Sequence, residues 1–137
     1  MEDFKYCIWL IPDKNQEWIN YTNGFMPHIS IHTKIEDITN ANKIYEEINI
    51  KEPIYVKLVG NLKKTITNGF YAIQQDVIPL NYKPHWWPEN AHVSFIYSYS
   101  DIDNEILNNL KLKIKQKTCV MSSTIITKCT GNYKNWK

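Results

Sequence analysis

Two short stretches predict an α+β domain assembled by internal duplication. "PHISIHT", Pro27 to Thr33, and "AHVSFIY", Ala91 to Tyr97, set a histidine and a serine in the same His-x-Ser frame. The halves superpose without a gap at an offset of 64, so that His28 falls on His92, Ser30 on Ser94, Asp37 on Asp101, Ile38 on Ile102 and Asn40 on Asn104. Ile29 matches Val93 and Ile31 matches Phe95. A His-x-Ser tripeptide arises easily by chance; a coincidence of strand, turn, helix start and capping position does not.

The elements follow in order. Alternation predicts a first strand over about 5–11, stopped at Pro12, and "DKNQEWINYTNGF" reads as one short helix closed by Asn23-Gly24. A strand over 28–35 comes next. Ile38, Ala41, Ile44, Tyr45 and Ile48 then recur at helical spacing, with Asp37 or Thr39 as N-cap. Two strands, about 54–62 and 65–77, are expected around a lysine-bearing turn, and "PLNYKPHWWPEN" has no periodicity and reads as a loop. From His92 the pattern repeats as a strand to about Tyr99, a helix from Asp101 or Asp103 to about Lys115, and a strand over about 118–129. "KLKIKQK", Lys111 to Lys117, is the solvated end of that helix, where lysines suit the C-terminal dipole.

Composition bounds the class. A chain of 137 residues, 43% hydrophobic and 22% charged, is the size of one soluble domain, 1–137, able to bury a core without staples. No apolar run is long enough to span a bilayer, and the opening "MEDFKYCIWLIPDK" lacks a secretory apolar stretch, so a soluble cytoplasmic protein away from membranes is expected. Cys7, Cys119 and Cys129 form no ligand-spaced pair and read as small core residues in a reducing compartment. The net charge of +2 comes from lysines, with no arginine and no basic block. It gives no footprint for long nucleic acid but suits a small anion such as a nucleotide. The abundance of Asn, Ile and Lys points to an AT-rich genome.

In a strand alternate side chains share a face, so His28 and Ser30 point one way while Ile29, Ile31 and Ile35 point to the core. The same rule puts His32 on the face of His28, and Tyr97 on the core side of its strand with Val93 and Phe95. If the halves pack about a pseudo-twofold axis, the two His-Ser faces meet across a groove. One imidazole can then accept a proton from an attacking hydroxyl or water while the other donates one to a leaving oxygen. The two serine hydroxyls can hold the non-bridging phosphate oxygens. His28 and His32 lie roughly 13 Å apart along a strand, too far to share an ion, so no metal is expected. Trp86 and Trp87, ahead of His92, are candidates for stacking on a nucleobase. Trp9 and Trp18 read as core, His85 as a loop residue, and "GNLKKT" is not a phosphate-binding loop.

"HISI" and "HVSF" are similar to the paired motifs of the two-histidine (2H) phosphoesterases. Within that superfamily the chain most resembles the cyclic phosphodiesterase branch, through "YCIWLIP" at the start, "HVSFIY" in the second motif and "TGNYKNW" near the end. The resemblance implies a bilobal fold of two antiparallel β-sheets flanked by helices around a central cleft. It implies His28 and His92 as the catalytic pair, Ser30 and Ser94 as phosphate binders, and Tyr97 as a further phosphate contact, which strict alternation allows only if a bulge intervenes. It implies no cofactor, a monomer, and a substrate with a 2'-linked phosphodiester. That substrate is either a 2',3'- or 1'',2''-cyclic phosphate, or a 2',5'-linked signalling nucleotide such as cyclic GMP-AMP or an oligoadenylate, the immune messengers that viral members destroy. A catalytically silent module that sequesters its nucleotide is the alternative.

Overall fold

The computed structural model describes residues 4–48, 50, 52–67 and 70–129. It is an α+β fold with the element order β1 (Tyr6–Pro12), a 3₁₀ turn (Glu17–Asn20), β2 (Ile29–Ile35), α1 (Ile38–Glu47), β3 (Ile54–Thr67), β4 (Phe70–Pro79), β5 (His92–Ser98), α2 (Asn104–Lys113) and β6 (Thr118–Lys128). Each half therefore reads strand, strand, helix, strand. Where two sheets were expected, the six strands are hydrogen-bonded in one closed ring, β1-β2-β5-β4-β3-β6. The ring falls into two antiparallel arcs, β2-β1-β6 and β5-β4-β3, so each half lends its last strand to the other half's arc.

Two seams close the ring, and both obey the duplication. Between β2 and β5 there is a single pair, Ile29 opposite Val93, which are equivalents at offset 64. Between β3 and β6, Ile54 pairs Met121 and Lys57 pairs Thr118, two pairs that exchange under the same offset. A twofold axis through both seams has this register as its consequence.

One apolar cluster holds the arcs to the helices. Ile8, Leu10, Ile29, Val56, Ile73, Val93 and Phe95 from the strands join Ala41 of α1 and Leu110 of α2. The opposite strand faces are left for a cavity, as alternation requires. Trp18 is fully buried, edge-on to Phe95, and its indole N–H donates to the Gln116 carbonyl at 2.8 Å. Burial of so large a side chain is worth about 2–3 kcal/mol, and it pins the segment after β1 onto the segment after α2.

Four expectations are corrected. The "DKNQEWINYTNGF" helix is only a four-residue 3₁₀ turn, because its buried anchors are Trp18 and Tyr21 alone, one turn apart, and no apolar stripe continues past them. The predicted turn near Lys63 is a bulge inside one long strand. There β3 pairing with β4 jumps from Val59–Asp76 to Lys63–Gln74, Gly60 takes φ +69°, and its carbonyl accepts from Gln75 Nε2. Instead β3 runs on to Thr67 and β4 begins at Phe70. Finally, the capping positions do not coincide. Asp37 caps α1 by accepting from the Asn40 N–H, but α2 starts two residues late and is capped by Asp103, which accepts from the Glu105 N–H. Asp101, the equivalent of Asp37, pairs instead with Lys64 at 3.6 Å on the surface. No helix among the described residues is long and apolar enough to cross a membrane.

Asp103→Ala should lower the stability by about 1 kcal/mol, the usual worth of an N-cap. Asp101→Ala should cost no more than about 0.5 kcal/mol, as an exposed ion pair does. Urea unfolding of both variants measures the difference, and equal losses would return the cap to Asp101.

Candidate functional site

His28 immediately precedes β2 and His92 opens β5, and the chain treats them alike. His28 Nδ1 lies 2.8 Å from the Met26 carbonyl, and His92 Nδ1 lies 2.9 Å from the carbonyl of Asn90, the equivalent of Met26. A carbonyl oxygen can only accept, so each Nδ1 carries the proton and each Nε2 is the atom left for chemistry. Both imidazoles line one cavity of about 300 Å³, together with Ser30, Ser94 and Tyr97. The structure thus brings five of the sequence-predicted site residues into one chamber.

Tyr97 gets there through a bulge. Pairing of β4 with β5 steps from Ile73–Ile96 to Gln74–Ser94, leaving Phe95 as an extra residue. The same step occurs in the first half, where β1 pairing with β2 moves from Ile8–His32 to Trp9–Ser30 and leaves Ile31 unmatched. Ile31 and Phe95 are equivalents, so the irregularity itself is duplicated. A bulge sends two adjacent side chains to one side and reverses the alternation beyond it. Tyr97 is therefore turned from the core face into the cavity. For the same reason His32, expected beside His28, is turned out and exposed, and Thr33 takes the cavity position that is equivalent to Tyr97.

Tyr97 is held from several sides. Its ring stacks on Phe25 at 4.4 Å and meets Phe70 edge-on at 5.2 Å. Only one residue pair joins β2 to β5, and Asn23 works where that seam is open, its Oδ1 accepting from the Tyr97 N–H and its Nδ2 donating to the Tyr97 carbonyl. Burial pushes the Tyr97 phenol up to about 12, a hydrogen bond with Ser94 pulling the other way, so the hydroxyl stays a neutral donor.

His28 differs from His92 in its surroundings. It is 5% exposed, while His92 is half-buried. The Trp9 ring lies parallel to the His28 imidazole, 3.6 Å away and tilted by 9°. Burial drives the His28 pKa down to about 4, against the hydrogen bond to Met26, and the nearby His92 adds to the lowering. His28 is consequently neutral at physiological pH, with a free Nε2 lone pair. Among the described residues, no lysine, aspartate or glutamate lines the cavity.

Trp86 and Trp87 do not line this cavity; they are half-buried and pack against the main core from the loop before β5. His85 is exposed in that loop. Cys119 is a core thiol, as read from sequence, but Cys7 and Cys129 are buried in the cavity wall. The terminal "TGNYKNW" lies outside the described residues. Among the described residues no group of three or more His, Cys, Asp or Glu is gathered as a metal site would require. Sequence reasoning missed the cavity roles of Trp9, Thr33, Gln74 and Phe70. Thr33 was legible at offset 64 from Tyr97; Trp9 was not, because nothing in an apolar strand separates a core face from a cavity face.

A scan against protein-family models finds no match, and a search of curated proteins finds no similar sequence.

The low pKa of His28 ties it to acid stability. Its unfolded value is 6.5 and its folded value about 4, so the unfolded chain binds the proton more tightly and protonation favours unfolding. Stability is full above pH 6.5 and is lost as pH falls toward 4, by about 3 kcal/mol for this group. His28→Gln should remove that component. Urea titrations at pH 7 and 4 test it, and parallel losses in both proteins would show that His28 is not buried neutral.

Proposed function

We propose that the protein is a phosphodiesterase of the two-histidine type, its two ring arcs forming the two lobes of that fold. The observation that carries this reading is the pair of equivalent Nε2 atoms, each set by an Nδ1–H donated to a carbonyl, opening with two serine hydroxyls into one cavity. In the reaction, one imidazole takes the proton of an attacking hydroxyl or water as the new P–O bond forms. The other gives its proton to the oxygen that departs as the old P–O bond breaks. Ser30, Ser94 and Tyr97 donate hydrogen bonds to the non-bridging oxygens, where charge accumulates.

The electrostatics favour a diester. A phosphodiester carries one negative charge, whereas a monoester carries nearly two at neutral pH because its second proton leaves near pH 6. A cavity walled by hydroxyls, an amide, imidazoles and aromatic rings, with no lysine among the described residues, suits the single charge better. Phe4, Phe70 and Ala72 offer an apolar wall beside the polar end, which suits the sugar or base of a nucleotide. The volume, at the small end for ligand sites, fits a small nucleotide rather than a polynucleotide. We place the activity in the cytoplasm, with the protein acting as a monomer on a 2'-linked nucleotide. The candidates are a 2',3'- or 1'',2''-cyclic phosphate, or a 2',5'-linked immune messenger whose destruction would serve immune evasion.

The test is incubation with cyclic GMP-AMP, 2',5'-oligoadenylate, nucleoside 2',3'-cyclic phosphates and ADP-ribose 1'',2''-cyclic phosphate, each in EDTA. At least one should be converted, with His28→Ala and His92→Ala each reducing kcat by about 10²–10⁴-fold. Substrates left unchanged throughout, or tight binding without turnover, would reject catalysis.

A further inference from the structure

The scaffold is close to twofold symmetric, yet the two histidines do not have equivalent neighbours. Trp9 pairs with Ser30 on one side, and Gln74 pairs with Ser94 on the other, so Trp9 and Gln74 occupy corresponding places beside the two motifs. Their chemistry is opposite. The Trp9 indole covers one face of the His28 imidazole at stacking distance, which fixes the ring plane and keeps water from that face. Gln74 offers a polar amide, its Oε1 accepting from Thr65 Oγ1 at 3.2 Å, while His92, which stands opposite Asp76 of β4, keeps contact with solvent. A cation is disfavoured where water is excluded and tolerated where water remains.

The other groups facing His28 do not undo this difference. Among the described residues, the titratable side chains that share the cavity are Cys7 from β1, His92 and Tyr97 from β5, and Cys129 just beyond β6; β3 and β4 contribute Thr65, Phe70, Ala72 and Gln74, which do not ionise. None is a carboxylate that would stabilise a charged His28. We propose that Trp9 is a positioning residue that commits His28 to accepting the proton and leaves His92 to donate one, an assignment that rests on the phosphodiesterase reading. The buried, neutral state of His28 agrees with it.

Two experiments on the full chain test the assignment. In the first, the imidazoles are titrated by NMR in the native protein, Trp9→Gln and Trp9→Phe. The His28 midpoint should rise by about two pH units in Trp9→Gln and stay low in Trp9→Phe, where a ring still covers the imidazole. With bis(p-nitrophenyl) phosphate as the probe, the acid limb of kcat/KM should move with it. Trp9→Gln should then lose about ten-fold at pH 5 and no more than about two-fold at pH 8. A His28 midpoint that stays put in Trp9→Gln overturns the role of Trp9, whatever the activity.

The second experiment needs no change at Trp9 and so stands even if Trp9→Gln does not fold. His28→Ala and His92→Ala are compared on bis(p-nitrophenyl) phosphate, whose leaving group departs unprotonated, and on a 2',5'-linked dinucleotide, whose alkoxide needs a proton. His92→Ala should lose about 100-fold more on the dinucleotide than on the aryl diester, while His28→Ala should lose similarly on both. The reverse pattern overturns the assignment. A native protein that cleaves neither of these diesters nor any of the cyclic phosphates rejects the phosphodiesterase reading and the proton roles with it, and the NMR midpoint then separates that failure from one of Trp9.

Discussion

Everything in the site depends on the pair of bulges at Ile31 and Phe95. Both side chains are buried, Phe95 fully, with Trp18 and Tyr21 edge-on to its ring. An extra residue in a strand leaves the ladder locally unpaired, a cost that has to be offset elsewhere. Here the offset is the burial of both side chains in the core. The return is on the other face, where each strand presents three polar side chains to one cavity: His28, Ser30 and Thr33 from the first half, and His92, Ser94 and Tyr97 from the second. A regular strand with the same sequence would bury Tyr97 in the core and bring His32 to the cavity.

The bulges also explain why the site is dry at one end. By reversing the alternation they turn Tyr97 toward Phe70, and Phe25 stacks on its other side, so an aromatic wall stands where a continuing strand would have put Ile96. That wall and Trp9 exclude water from His28. The cost is a buried imidazole held neutral, which burdens the fold in acid, and the gain is a lone pair available at neutral pH. Core packing, acid sensitivity and the proposed chemistry are thus linked through the same few rings.

The duplication was legible from sequence because it preserves spacing: His28 to His92, Ser30 to Ser94 and Ile29 to Val93 keep one offset, and the structure pairs the last two across the seam. Strands with strict alternation and the helix at Ile38 were legible for the same reason, since periodicity is a local signal. The bulges were not. They add no glycine or proline to the motif strands and appear only when a partner strand supplies the register to be broken. The cap on α2 was left open for a related reason: Asp101 and Asp103 both suit an N-cap, and the choice was made by packing of Ile102 into the core, with the Lys64 ammonium donating to its carbonyl. Trp86 and Trp87 stood out in sequence by their position before His92, but the polar groups of the loop turn outward and the core takes the indoles.

A symmetric scaffold and a proton relay make opposed demands. Duplication gives two histidines the same tautomer and the same approach to the cavity, through Met26 in one half and Asn90 in the other. The proposed acid-base catalysis at a single phosphate needs them unlike, one empty and one loaded. The motif strands cannot supply that difference without losing the device that they share. It is supplied by the strands beside them, β1 and β4, which hold the motif strands in register but do not carry the motif. At that position a tryptophan and a glutamine are each compatible with an antiparallel strand, since either can face a cavity without disturbing the ladder. Divergence there changes the solvation of an imidazole and leaves its geometry intact, so the twofold fold can house a one-way transfer.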